Sequence, residues 1–462
     1  MYRLSGYNIY LEMKNQKYLL VQGMYGSFDV VDETIYSLLI FCRDENNGIV
    51  NEDKFDDDTL KSLKKRGYIT ELSQEEEHEK FKKISKIISE KKNNDLSLTI
   101  IPTYNCNFRC EYCFEKKIQE HGAKILGCTM TPDIVDAVFD YIDKIKNEGK
   151  NIHDICFFGG EPFLKNNYEI VEYVCQKAAE RDIPLSCITN GFDFENYVDL
   201  VKNHNFTSVQ ITVDGVGEAH DKRRFLAGGK GSFDKIAANI DLALKNGIKI
   251  MLRTNVNRKN VSEIKKLITY YCEKGWVNYS NFNYYFKATH KCYEVLENQY
   301  SDLELMGAII TACREKGIKY ERKHLNSQYY LISDSIRNTI TKHTFASINN
   351  VYCRAGSNMI VVDPFNNIYA CWDSAGEEQK IIGKIDDDTG EFVFNDNYKK
   401  WSERNVGNID KCSKCPYAFF CGGGCAAHAN LINGSILSEF CDEFQGIFDN
   451  VAVDVCSEFA NQ

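Results

Sequence analysis

The spacing of apolar positions changes several times along this chain, and each change marks a segment. Tyr7 to Met13 and Tyr18 to Gln22 alternate apolar and polar residues as half-buried strands do, whereas Glu33 to Cys42 and Asp58 to Lys65 repeat at helical spacing before Gly67-Tyr68-Ile69. A small β/α module, winged-helix-like, is predicted over residues 1–70. Charge takes over from Glu71 to Asp95, with lysines set between isoleucines, so residues 71–95 are predicted as an amphipathic linker helix at a domain boundary. Beyond it, short apolar runs and 3.6-residue patterns take turns. Strands are predicted at Leu96–Pro102, Asp154–Gly159, Leu185–Asn190, Ser208–Asp214, Lys249–Val256 and Tyr279–Phe286. Helices fall between them at Pro132–Lys146, Tyr168–Glu180, Phe233–Lys245 and Val261–Glu273, with Gly149, Gly247 and Gly275 as stops. Six βα units make an α/β fold whose parallel sheet curls into a full or partial barrel, and such sheets place chemistry at the C-terminal ends of their strands.

Composition narrows the function. A chain of 462 residues exceeds what one core usually serves, so two or three domains are expected. A net charge of −10 argues against a nucleic-acid partner, which would call for a basic face. No run nears the roughly 18 apolar residues of a membrane span, and the start lacks a signal-peptide apolar region, so a cytoplasmic protein is expected. In a long cytosolic chain thiols stay reduced, and clustered cysteines then point to metal. Of the 19 cysteines, three lie within Cys106 to Cys113 and eight from Cys353 onward.

Cys106-Asn-Phe-Arg-Cys110-Glu-Tyr-Cys113 has the spacing C-x3-C-x2-C directly after the first barrel strand. Three thiolates in one loop can wrap a cubane cluster that normally takes four cysteines, leaving one iron open to chelate a substrate or cofactor. A structural zinc site is the competing reading, but it asks for four ligands and no fourth lies nearby. With Tyr112 in its aromatic place, this motif resembles the signature of the radical S-adenosylmethionine (SAM) superfamily. That resemblance implies a partial (β/α)6 TIM-like barrel, and it extends to Gly159-Gly160-Glu161-Pro162 at the end of the second strand, the element that contacts the SAM amino group. Thr189-Asn190-Gly191 and Thr212-Val213-Asp214-Gly215 match further family segments that serve the cofactor. By the same resemblance Arg224, in His220-Asp221-Lys222-Arg223-Arg224, would stand near the SAM carboxylate and Tyr112 near the adenine.

Cys412-x2-Cys415-x5-Cys421-x3-Cys425, followed by Cys441 and preceded by Cys353 and Cys371, resembles the SPASM extension of that superfamily. Gly422-Gly423-Gly424 would let backbone pass close to a cluster, and Asn366 stands where the family usually has Gly. The resemblance implies a SPASM domain over residues 326–462, following a radical SAM core at 96–325, with two auxiliary [4Fe–4S] clusters. Cys412, Cys415, Cys421 and Cys441 would hold the outer one. Cys353, Cys371 and Cys425 would hold the inner one, leaving an iron open to a substrate thiol unless a distant thiol such as Cys42 or Cys456 closes it. Three [4Fe–4S] clusters and SAM are thus the expected cofactors.

The family's chemistry is cleavage of SAM to a 5′-deoxyadenosyl radical that takes hydrogen from a substrate carbon. The expected function is oxidation of a ribosomally made, Cys-containing precursor peptide to a sulfur-to-carbon thioether, as sactipeptide and ranthipeptide maturases do. The N-terminal module, which resembles the leader-binding element of such enzymes, would capture the peptide, and a flavodoxin- or ferredoxin-type donor would supply electrons. Two alternatives stand beside it. Anaerobic sulfatase-type maturases make formylglycine with an acidic residue directly after the second cysteine of the SPASM pattern, where Trp372 intervenes here and Asp373 is the candidate base. A multi-cluster electron carrier would need neither the open iron nor the SAM-contacting segments.

Overall fold

The computed structural model describes residues 2–14, 16–92, 95–120, 122–289, 300–315, 327–342, 344–356 and 358–460. Its strands are β1 (Arg3–Leu4), β2 (Asn8–Glu12), β3 (Tyr18–Gln22), β4 (Ser27–Val31), β5 (Ile69–Thr70), β6 (Asp95–Ile100), β7 (Asn151–Phe157), β8 (Leu185–Thr189), β9 (Phe206–Thr212), β10 (Ile250–Val256), β11 (Phe282–Ala288), β12 (Met359–Val362), β13 (Asn367–Tyr369), β14 (Ile381–Ile385) and β15 (Phe392–Phe394). The chain divides into two compact units, one of Lys92–Asn326 with Arg354–Glu403, the other of Met1–Lys91, Ser327–Cys353 and Arg404–Gln462.

In the first of these, β6 to β11 lie side by side in sequence order and all parallel, the partial TIM-like barrel expected from the six βα units. The crossover helices follow from their patterns. Pro132–Asn147 starts with Pro in its first turn, buries Ile134, Val135, Val138, Phe139, Ile142 and Ile145 on one face, and ends before Gly149 at φ 87°. Strand alternation then separates two environments. Ile155 and Phe157 of β7 are buried in the core, whereas Asp154 and Cys156 between them line a cavity of about 440 Å³. Ser97, Ser186, Ser208 and Gln210 line it as well, together with Leu98, Ile188, Met359 and Trp372, so its wall is mixed and mostly apolar. Ser97 Oγ donates to Asp154 at 2.6 Å and accepts from Arg354 at 2.7 Å.

The sheet does not stop at the barrel. β12 pairs parallel to β6, Met359 opposite Ser97, and β13, β14 and β15 follow antiparallel to make ten strands. Residues 354–403, expected within a C-terminal domain, continue the barrel's own sheet because β12 satisfies the edge of β6. The boundary expected at 325/326 lies outside the described residues.

In the other unit, β2, β3 and β4 form an antiparallel sheet and β1 pairs with β5. The helix Glu33–Asp44 is capped by Asp32 and Asp57–Arg66 by Asp56, and their apolar faces close a core of Leu4, Leu20, Leu39, Cys42, Leu63 and Tyr68. Cys42 is thus a small hydrophobe of that core, and Cys456 is likewise buried in the helix Phe444–Ala460. The charged helix Gln74–Lys92 is no spacer. Its Phe81 stacks 4.9 Å from Tyr7 and 4.2 Å from Phe419, so the N-terminal module, the helix and the C-terminal cysteine segment share one core.

Candidate active site

The three-thiol loop leaves β6 at the C-terminal mouth of the barrel, and its shape is held by backbone contacts. Arg109 N donates to Phe225 O at 2.9 Å, Cys113 N to Cys110 O at 3.2 Å, and Phe108 N to Cys106 Sγ at 3.4 Å. Withdrawal from water raises all three thiols, Cys113 up to about 12 with help from the neighbouring Glu115. Thiolates in such a place need a cation to stabilise them, and a cluster supplies one. Among the described residues no three His, Cys, Asp or Glu side chains converge on a single ion. A cubane asks instead for thiols spread around its corners.

Against this loop packs the Gly159-Gly160-Glu161-Pro162 turn. Gly159 and Gly160 take φ values of 83° and 49°, and a Cβ on Gly160 would lie 2.3 Å from Asn105 O. Glu161 N donates to that same carbonyl at 2.8 Å. The Glu161 carboxylate is buried and accepts from Thr189 Oγ1 at 2.5 Å, Asn190 N at 2.6 Å and Phe163 N at 2.9 Å. Burial outweighs these bonds and raises Glu161 to about 7. Pro162 O accepts from Asn167 at 3.1 Å, and Asn190 Nδ2 donates to Asn107 in the thiol loop at 2.7 Å. Two strand ends and the loop are therefore tied together through one carboxylate.

On the other side of the loop, the Tyr112 hydroxyl donates to Asp214 and accepts from Arg224 at 2.6 Å and Asn255 at 3.0 Å. Asp214 also accepts from Asn255 N at 2.8 Å, and Arg224 Nε, fully enclosed, has no partner in the chain. Thr212, at the end of β9, is buried opposite Arg253. Arg223 reaches Glu111 at 3.0 Å. Sequence reasoning named Tyr112 and Arg224. It missed Asp214, Asn255 and Glu115, although Asp214 stood inside a quoted segment.

Asp373 follows Cys371 and Trp372 in a short turn after β13, and it bears electrostatically on Glu115. The Trp372 ring lies 5.2 Å from Phe158, which stacks 6.0 Å from Phe114 beside Cys113. Asn366 adopts φ 64° at the turn into β13, a conformation that Asn tolerates.

Cys353, Cys412, Cys415, Cys421, Cys425 and Cys441 belong to the other unit, whereas Cys371 belongs to the barrel unit. The glycine triplet there takes φ values of 71°, 84° and 73°. Its close approaches are to chain. A Cβ on Gly422 would lie 2.3 Å from Tyr352 N, next to Cys353, and one on Gly424 would lie 1.7 Å from Phe440 O, next to Cys441. Arg404, which sequence reasoning missed, is buried beside them. Its guanidinium donates to Gly423 O at 3.0 Å, Gly424 O at 2.9 Å and Ser438 O at 2.7 Å, and it faces the charges of Cys412, Cys353, Cys425 and Cys421.

Residues 100–271 match the Radical SAM superfamily. The partial barrel with its three-thiol loop is a radical SAM domain, and the protein is a radical SAM enzyme. The cofactors of such a domain are SAM and a [4Fe–4S] cluster, which the thiol loop and the adjoining left-handed Gly-Gly turn fit. More particularly, the chain is 26% identical over 381 residues to the cysteine-type anaerobic sulfatase-maturating enzyme of Clostridium novyi, covering 77% of this chain and 94% of that one. It is 23% identical over 464 residues to the radical SAM cyclopropyl synthase TigE of Paramaledivibacter caminithermalis, covering 94% and 91%. Among solved structures it resembles anSMEcpe with bound AdoMet and a peptide (TM-score 0.58, 18% identity, 80% and 100% covered). It also resembles Streptococcus suis SuiB bound to its precursor peptide SuiA (TM-score 0.51, 15% identity, 96% and 99% covered).

Proposed function

We propose that this enzyme oxidises a ribosomally made precursor peptide and joins a cysteine sulfur to a carbon of the same peptide. When bound, the cofactors supply a carbon radical that removes one hydrogen atom from the substrate. The chain's own part is to hold the reacting carbon and to keep water away, and the cavity that Trp372 helps to line has the mixed wall that a peptide segment needs. The observation that carries the peptide half is the three-stranded sheet β2-β3-β4. Its two outer strands each have a single strand neighbour among the described residues, so an extended peptide can add as a further strand. The peptide-handling names among the relatives support the same reading.

Two auxiliary clusters complete it, the outer on Cys412, Cys415, Cys421 and Cys441, the inner on Cys353, Cys371 and Cys425. The burial of Cys42 and Cys456 in apolar surroundings supports an inner cluster with an iron left for a substrate thiol. A flavodoxin- or ferredoxin-type protein would be the electron donor. Formylglycine formation is the second reading, favoured by the identity to the sulfatase-maturating enzyme and by Asp373 beside Glu115. Mass spectrometry of a Cys-containing precursor after incubation with reconstituted enzyme, SAM and dithionite separates them. A loss of two hydrogens with a vanished thiol is the thioether result, loss of the sulfur itself is the formylglycine result, and absence of 5′-deoxyadenosine sinks both.

A further inference from the structure

Strand alternation assigns Met251, Arg253 and Asn255 of β10 to one face, opposite the buried Ile250, Leu252 and Thr254. Register makes that face the lumen of the barrel. Met251 stands beside Gln210, which lines the cavity, and Arg253 stands beside Thr212 and Tyr285, whose hydroxyl donates to Gln210 Oε1 at 2.7 Å. Two cations belong to the β10 and β11 part of this wall. Lys287, level with Asn255, is neutralised by the buried Asp302 at 2.7 Å. Arg253, half-buried, has no acidic partner among the described residues. Its Nε donates to Asn255 Oδ1 at 2.9 Å, and neither of its terminal nitrogens meets an acceptor among those residues. The Gln210 amide nitrogen lacks one as well. Asp154, the acid among the cavity's lining residues, lies on β7 and is engaged by Ser97 at 2.6 Å and His153 at 3.0 Å. This stretch of wall therefore has donors and positive charge to spare.

A guanidinium with both terminal nitrogens open is the fork that takes the two oxygens of a carboxylate. Its aim is fixed, because Asn255, which holds its Nε, in turn donates to Tyr112 of the thiol loop at 3.0 Å. We propose that Arg253 binds the side-chain carboxylate of an Asp or Glu in the substrate peptide, so that the enzyme selects peptides with an acidic residue in the segment that enters the lumen. This rests on the peptide reading and adds a substrate class to it. The peptide is favoured over the SAM carboxylate as the source. Arg253 lies one step deeper along β10 than Asn255, on the wall that runs down to Gln210, whereas Arg224 is the arginine bonded to Tyr112 of the thiol loop.

The test titrates capped peptides into the full-length, anaerobically reconstituted enzyme, with binding followed by ligand-observed nuclear magnetic resonance. The probes are acetyl-Gly-Gly-Asp-Gly-Gly-amide and its Asn counterpart, which differ in the carboxylate alone. A net charge of −10 works against the acidic probe over the chain as a whole, so a preference for it reports a local cation. Native enzyme saturated with SAM should bind the Asp probe about ten- to hundredfold more tightly than the Asn probe, the range of a charge-assisted hydrogen bond. R253Q should lose that preference, and R253K, a point charge without the fork, should keep part of it. No preference in native enzyme, or one that survives in R253Q, overturns the proposal. So does a preference that SAM abolishes, coupled with a loss in R253Q of discrimination between SAM and decarboxylated SAM, because the guanidinium would then serve the cofactor. Iron content and circular dichroism check that the variants are folded. The thioether reading fails separately, on an unchanged precursor mass, since the probes are bound and not turned over.

Discussion

The Tyr112 hydroxyl is shared by three groups, one acidic, one basic and one neutral, all enclosed. Phe at this position keeps the ring and removes the oxygen, leaving Asp214 Oδ2 without its hydroxyl donor and Arg224 without an acceptor. Y112F should therefore cost about 1–3 kcal/mol in urea unfolding, the range for unsatisfied buried polar groups, and weaken SAM binding in parallel. Glu161 gives a pH signature. Burial raises it to about 7 from 4.5 in the open chain. Between those values the folded chain keeps a proton that the unfolded chain has released. The contribution is full below pH 4.5 and lost as pH rises toward 7. Denaturation midpoints of the native protein should carry this downward slope, which Glu115, also raised by burial to about 7, shares, and E161Q should make it shallower; an unchanged slope would put the proton elsewhere. Tyr112 and Arg224 were legible because they sit in spaced motifs. Glu115 was not, since a single acidic residue past a motif carries no period, and only the missing partner of its Oε1 singles it out.

For whole elements, the period of the apolar residues located β6 to β11 and their helices because each βα unit repeats the same alternation. β12 to β15 escaped. Met359–Val362 is a four-residue apolar run whose partner, β6, lies more than 250 residues earlier, and pairing over that distance leaves no local trace. The glycine triplet was legible as a need for positive φ, but not for which chain segments come near it. Gly424 gives the sharper test, because an added Cβ would overlap Phe440 O beside Cys441. With the proposed outer cluster at this loop, G424A should lower iron per chain, while the SAM-responsive electron paramagnetic resonance signal of the three-thiol loop's cluster persists. Loss of both signals together would mean that the loop supports the whole protein.

At the scale of the molecule, the N-terminal module is built into the unit that carries seven of the eight cysteines from Cys353 onward. Gly23 lies so close to Pro416 that a Cβ would come within 1.7 Å of its carbonyl oxygen, and Tyr7 donates to Ser413 O at 2.6 Å. Deleting residues 1–70 should therefore do more than abolish the proposed peptide capture. Phe81 and Phe419 would lose the Tyr7 side of their core, and iron loading of the C-terminal cysteines should fall along with thermal stability. Intact iron content in that truncation would show a detachable module.

The same interleaving sets an order of events during synthesis. The chain passes between its units four times, at 91/92, 326/327, 353/354 and 403/404. The module of residues 1–70 leaves the ribosome well before the segment that completes its core, which begins only at Arg404. At roughly 5–20 residues per second that wait lasts about 15 to 60 seconds. Throughout it Tyr7, Met24 and Phe81 have one another but lack Val406, Ile409, Ala418 and Phe419, so that apolar face stays open until the later segment arrives.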